Sequence, residues 1–148
     1  MAKRILVPLS QREPAGSFVA AIADLAKGAG ATVRLLHVAD PQTNLVDADG
    51  RVLAYADQET RRVEDEARDY LEAIAIALDG VPVELAVRFG DIVQEILAEA
   101  DDFGADLIVL GIGRRRLRLR GGVAKRIFRG AEVPVAFFRA GRHETDGG

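Results

Sequence analysis

The chain of 148 residues contains no cysteine. That excludes disulfides, thiolate metal ligands and a cysteine nucleophile, and it fits a reducing compartment, so a cytoplasmic location is expected. Histidine is nearly absent as well, with only His37 and His143. A histidine metal cluster or a Ser-His-Asp triad has almost nothing to be built from, which argues against that kind of hydrolytic chemistry. No apolar run approaches the ~20 residues that span a bilayer, and mean hydropathy is only +0.06 although 49% of residues are hydrophobic. The opening MAKRILVPLS has two basic residues and an apolar run too brief for a signal segment, and it lacks a small-residue cleavage site, so it reads as a first strand. The length suits one domain with a genuine core, expected over residues 1–140, with a polar tail from 141 to 148.

One stretch lacks acid. Residues 114–129 carry Arg114, Arg115, Arg116, Arg118, Arg120, Lys125, Arg126 and Arg129 with no aspartate or glutamate among them. The rest of the chain is acidic enough to leave a net charge of −3 and a pI near 5.4. General nucleic-acid binding normally needs a positive domain, so a nucleic-acid partner is not expected. Immediately before the basic stretch, Asp106 to Gly111 is an unbroken apolar run of the kind buried on both faces of a parallel sheet. After it come Gly111 and Gly113, then Gly121 and Gly122, and then a short helical pattern from Val123 to Gly130. A glycine-bearing turn between a parallel strand and a helix N-terminus aims backbone N–H groups at an anion, so this loop reads as a phosphate seat. A solvated basic loop kept soluble by arginine is the competing reading.

The remaining chain alternates between the two periodicities. Arg4–Leu9 suits a strand that ends near Pro8, which cannot donate to a ladder. Ser17–Ala29 places Phe18, Val19, Ile22, Leu25, Ala26 and Ala29 at helical spacing, and Thr32–Val38 is a β-branched strand holding His37, read as a hydrogen-bonded and partly buried residue. Residues 39–57 are irregular and long for a connection, which suggests a lid or an extended cover; the DADGR within them reads as a polar turn, since the other positions of a calcium loop are missing. Gln58–Leu78 is a charged amphipathic helix with Val63, Ala67, Tyr70, Leu71, Ile74 and Leu78 on its apolar stripe and Glu64 and Arg68 placed to pair. Val81–Phe89 alternates as a strand near a sheet edge. Asp91 is the expected N-cap of the next helix, with Gln94 as its capping-box partner and Ile92, Val93, Ile96, Leu97 and Ala100 as the buried stripe. Val133–Phe138 is the last strand; Pro134 suits an edge, and Val133, Val135 and Phe137 form an apolar face that a two-fold partner would cover. Strands alternating with helices imply a doubly wound, mostly parallel five-stranded sheet with helices on both faces.

Four segments in this order, KRILVPLS, LLHV, FGDIVQEILAEADDFGADLIVLG and GGVAKRIFRGAEVPVAFF, resemble the universal stress protein family over residues 3–139. The resemblance implies a Rossmann-like parallel sheet in strand order 3-2-1-4-5, and a homodimer through the fifth strand as in many members. Nucleotide-binding members carry G-x2-G-x9-G-[ST] for the phosphates of ATP, with a proline and an aspartate closing the first strand. Here Pro8 matches the proline, but Ser10 stands where the aspartate would be. Gly111 matches the first glycine, Arg114 replaces the second with Gly113 one place early, and Gly121-Gly122 ends a loop three residues too short, followed by Val123 and Ala124 rather than by a hydroxyl. Val38 falls where the family lines the adenine. Each lost hydrogen bond to a charged group is worth about 1.5–3 kcal/mol, although Arg114 or Arg116 could offer phosphate a bidentate fork.

Two function classes follow. The first is a dimeric, non-enzymatic stress-response module with weak or no ATP binding, needing no cofactor and no metal, whose basic loop docks an acidic protein or a small anion. The second is an adenine-nucleotide sensor that takes ATP, with Mg²⁺, at Pro8, Ser10, Val38, Gly111, Gly113, Gly121, Gly122 and Val123 with the help of Arg114 and Arg116. Asp40 is the nearest carboxylate for slow hydrolysis, and no general base is evident.

Overall fold

The structure is a computed structural model, which describes residues 3–10, 16–112 and 122–139. In chain order its elements are β1 (Arg4–Pro8), α1 (Gly16–Ala29), β2 (Thr32–Ala39), β3 (Leu45–Val46), β4 (Val52–Ala54), α2 (Ala56–Ala77), β5 (Val83–Phe89), α3 (Ile92–Phe103), β6 (Leu107–Ile112), α4 (Val123–Gly130) and β7 (Val135–Arg139). Five strands form one parallel sheet in the order β5-β2-β1-β6-β7. Counting those five strands along the chain, this is the order 3-2-1-4-5 that the resemblance implies.

Side-chain alternation sorts the core into two layers. Ile5, Val7, Val33, Leu35 and Val109 point to one face and pack with Phe18, Val19, Ile22 and Ala26 of α1 and Leu71 and Ile74 of α2. Leu6, Leu36, Ile108 and Leu110 point to the other and meet Val93, Ile96, Ala100 and Phe103 of α3 and Ile127 of α4. Central β1 is closed on both sides, with Ile5, Leu6 and Val7 fully buried. Such strands read as unbroken apolar runs because water reaches neither face. Edge strand β5 is only partly covered, as its alternating sequence implies.

Three expectations need correction. Residues 39–57 are not wholly irregular: they contain the antiparallel hairpin β3–β4, pairing Leu45 with Ala54 and Val46 with Val52 across a bulge. Its turn is built by Asp47, whose Oδ1 accepts from the backbone N–H of Asp49 and of Arg51, with Gly50 at φ +82°. This is an Asx-type turn and accounts for DADGR without a metal. Leu25, placed among the apolar residues at helical spacing, and Ile92, placed on a buried stripe, are each 41% exposed, Ile92 as the first residue of α3. Val133 precedes the last strand, and both it and Val135 are partly buried against the α3/α4 core, so Phe137 is the apolar residue of that group left exposed.

Candidate functional site

In an open parallel sheet the crevice for ligands opens where strand order reverses, at the carboxyl ends. Here the chain moves outward from β1 to β2 and β5, then crosses to β6 and β7 on the other side of β1. The reversal lies between β1 and β6, and of the residues proposed from sequence Pro8, Val38 and Gly111 stand near the carboxyl ends of β1, β2 and β6. Pro8 is the last residue of β1, paired with Leu36 of β2, and the chain beyond it is tied back by the Leu9 N–H donating to the Leu36 carbonyl at 2.7 Å. Ser10 follows at the surface. Val38, near the end of the adjacent β2, is partly buried against the α3/α4 layer. His37, 8% exposed, has its Nδ1 2.9 Å from the Leu9 carbonyl oxygen, which makes it the hydrogen-bonded strand residue that its setting implies. Asp40 is exposed just beyond β2.

Gly111 is the next-to-last residue of β6, opposite Phe138 of β7. A Cβ there would lie 3.0–3.2 Å from three ring atoms of Phe18. Phe18 is itself stacked on Phe138, with ring centroids 5.4 Å apart and planes at 28°. Glycine at 111 thus lets the Phe18 ring of α1 approach the strand closely, a packing reason for glycine independent of what the loop beyond it binds. Gly122 is the N-cap of α4 with φ +64°, a left-handed conformation that glycine adopts without cost. It offers no hydroxyl to a phosphate. Val123 and Ala124 open the helix and are partly buried against the α3/α4 core. Gly113, Arg114, Arg115, Arg116, Arg118, Arg120 and Gly121 lie outside the described residues. On α4 itself Lys125, Arg126 and Arg129 are exposed, and Arg126 approaches the Asp91 carboxylate at 3.8 Å. Asp91 caps α3 as expected, accepting from the Gln94 N–H at 3.0 Å.

Where α3 packs over β2 and β5 lies a feature that motif reading passed over. Glu99 of α3 is 5% exposed and receives two guanidiniums: Arg34 Nη1 donates to its Oε2 and Arg88 Nε to its Oε1, each at 2.5 Å. Arg34 also donates to Glu84 through Nε and Nη2 and lies 4.2 Å over the Phe103 ring, and Arg88 reaches Glu95 and Asp102. Burial alone would raise the Glu99 carboxyl; the hydrogen bonds from Arg88 and Arg34 outweigh it and hold the group below the usual carboxylate range. Burial disfavours the charged form of Arg34, but its bonds to Glu84 and Glu99 raise it above the ordinary arginine value. Hydrogen bonding to Glu99 likewise raises Arg88. The signal was present in sequence: Arg34 interrupts an apolar strand, and Glu99 falls on the same helix face as Ile96, Ala100 and Phe103. A cavity of about 260 Å³ opens beside this network, lined by Arg4, Thr32, Arg34, Glu84, Asp102 and Phe103. Arg34, Glu84 and Asp102 there are held by the ion pairs just described, and among the described residues no cluster suited to a metal ion occurs.

The fold and its switch point define an open, doubly wound α/β protein. The universal stress protein family model matches residues 1–139, and the chain belongs to that family. Solved structures agree in fold. A hypothetical protein whose biochemical function was assigned from its structure is 25% identical, covers 95% of this chain and 97% of its own, and superposes with a TM-score of 0.72. A universal stress family protein from Burkholderia pseudomallei is 23% identical, covering 93% and 96%, with a TM-score of 0.69. A universal stress protein from Archaeoglobus fulgidus in complex with dAMP is 20% identical, covering 91% and 96%, with a TM-score of 0.64. No curated protein matches the chain in sequence. Among the described residues no helix is long and apolar enough to cross a membrane.

Proposed function

We propose that this universal stress protein is a dimeric, non-enzymatic regulatory module of the cytoplasm that binds adenine nucleotides weakly and acts by docking partners on its basic surface. The observation that carries this reading is the state of the switch-point crevice. Ser10 stands where nucleotide-binding members place a carboxylate acceptor, the α4 N-cap Gly122 has no hydroxyl, and the packing of Phe18 accounts for Gly111 without a ligand. Two or three missing bonds of about 1.5–3 kcal/mol each lower affinity by orders of magnitude. Dimerisation rests on β7, an edge strand with a free side and Phe137 45% exposed. The basic stretch supplies the docking charge, of which Lys125, Arg126 and Arg129 stand exposed on α4.

The test is a gain of function. Restoring the acceptor with Ser10→Asp should tighten adenosine-nucleotide binding by about tenfold or more, read by calorimetry, since one bond of this size is worth at least that ratio. Unchanged affinity would mean that the missing carboxylate is not what sets the crevice's weakness. A second reading, that of an adenine-nucleotide sensor, is favoured by the dAMP complex of the Archaeoglobus fulgidus protein. In that reading Pro8, Val38 and Gly111 border the nucleotide, Arg114 and Arg116 replace the lost phosphate contacts, and Mg²⁺ enters with ATP.

A further inference from the structure

Exposed apolar side chains concentrate in two places outside the crevice. The first is the β3–β4 hairpin, where Leu45 is 50% exposed, Val46 51%, Val52 41%, Leu53 63% and the following Tyr55 58%. The hairpin is tied at its turn and at its base. Its turn is closed by Asp47, and its base is fastened to α2 by the Ala56 N–H donating to Asn44 Oδ1 at 2.7 Å. The second is the α4–β7 edge, where Phe128 is 62% and Phe137 45% exposed. A patch of this kind on a small protein marks a contact surface.

Charge sets the two patches against each other. Residues 40–59 hold five acidic side chains, Asp40, Asp47, Asp49, Asp57 and Glu59, and one basic, Arg51. The α4 helix holds Lys125, Arg126 and Arg129 and no acid, with Arg139 at the end of β7 and Glu132 the one acidic residue between them. An apolar patch rimmed by acid and an apolar patch rimmed by base are complementary, and both belong to the same chain. We infer that the β3–β4 hairpin of one copy seats on the α4 surface of a second copy, with Leu53 and Tyr55 against Phe128 and the hairpin aspartates beside Lys125 and Arg129. Under two-fold symmetry the contact is made twice, which closes the assembly rather than extending it. The inference rests on the dimer proposed above and names the surface that completes it. Pairing of the five-residue β7 alone gives little of the ~800 Å² per partner that a stable dimer buries.

The absence of cysteine makes a direct test available. Leu53→Cys and Phe128→Cys chains, of different lengths through a tag on one, are mixed and mildly oxidised; a third variant, Phe137→Cys, is oxidised alone. All three positions are exposed, so the substitutions leave the core intact. The expected product is a mixed Leu53→Cys/Phe128→Cys dimer, because a disulfide forms only when the two Cα atoms approach within about 7 Å. Its yield should fall several-fold when Lys125→Glu and Arg129→Glu are added to the Phe128→Cys chain. It should return when Asp49→Lys and Asp57→Lys are added to the Leu53→Cys chain. Self-linking of Phe137→Cys without the mixed product would overturn the hairpin contact and keep the β7 dimer. No linking in either experiment would overturn both. Self-linking of Leu53→Cys in place of the mixed product would make the hairpin its own partner and overturn the proposed pairing.

Discussion

Glu99 places a carboxylate inside a helix face that is otherwise apolar, and it is tolerated there because two guanidinium forks meet it. Removing it would leave Arg34 and Arg88 to their more exposed partners Glu84, Glu95 and Asp102. Glu99→Ala should therefore destabilise the fold by about 1–3 kcal/mol, measured by urea unfolding. The pH dependence has a definite sign. A carboxyl held low in the folded state contributes fully above its unfolded pKa of about 4.3, and that contribution is lost as pH falls through the lower folded value. The stability gap between the native chain and Glu99→Gln should be constant near pH 6 and shrink progressively toward pH 3. A gap independent of pH would show that Glu99 does not titrate as a paired anion.

Gly111 is the other informative residue. Gly111→Ala forces a methyl to within 3.0 Å of the Phe18 ring, an overpacking that typically costs about 1–3 kcal/mol. Phe18→Leu should relieve much of that strain, so the two substitutions together should destabilise less than the sum of each alone. Strict additivity in thermal unfolding would mean that the ring is not what demands glycine. In sequence Gly111 suggested only a phosphate turn, because a glycine's reason for being glycine lies in what approaches it from elsewhere in the chain.

At the scale of elements, α4 is eight residues long and buries a single side chain fully. Ile127 is fully buried in the α3/α4 layer while its neighbour Phe128 is 62% exposed. Ile127→Ala should cost about 2–5 kcal/mol and Phe128→Ala far less, a contrast that chemical denaturation of the two variants would read. The long elements were legible because their periodicity extends over several turns: Ala67, Leu71 and Ile74 of α2 and Val93, Ile96 and Ala100 of α3 are buried as their spacing requires. The hairpin was not. With two- and three-residue strands whose apolar side chains are exposed, it shows no alternation to read. The Glu99 network was only half legible, since Arg34 and Glu99 each break a pattern but nothing in sequence says that they meet.

The whole molecule follows from topology more than from any single contact. The unbroken apolar run of β6, the alternation in β5 and the proline beside β7 indicated an inside strand and two edges, and the order β5-β2-β1-β6-β7 is the one the family resemblance implies. That order places Pro8, Val38 and Gly111 at neighbouring carboxyl ends, where the crevice of an open parallel sheet is expected. Its chemistry was legible only through departures from the family signature, Ser10 for the aspartate and Gly122 for the hydroxyl-bearing residue. The account makes this crevice a degenerate nucleotide site on a module that works through its surfaces. Calorimetric titration of the purified protein with ATP and Mg²⁺, with AMP in parallel and after any co-purified nucleotide has been removed, tests that most directly. Dissociation constants no tighter than about millimolar, an affinity near 4 kcal/mol, are the result predicted. Low-micromolar ATP binding would contradict it and make the protein a nucleotide sensor.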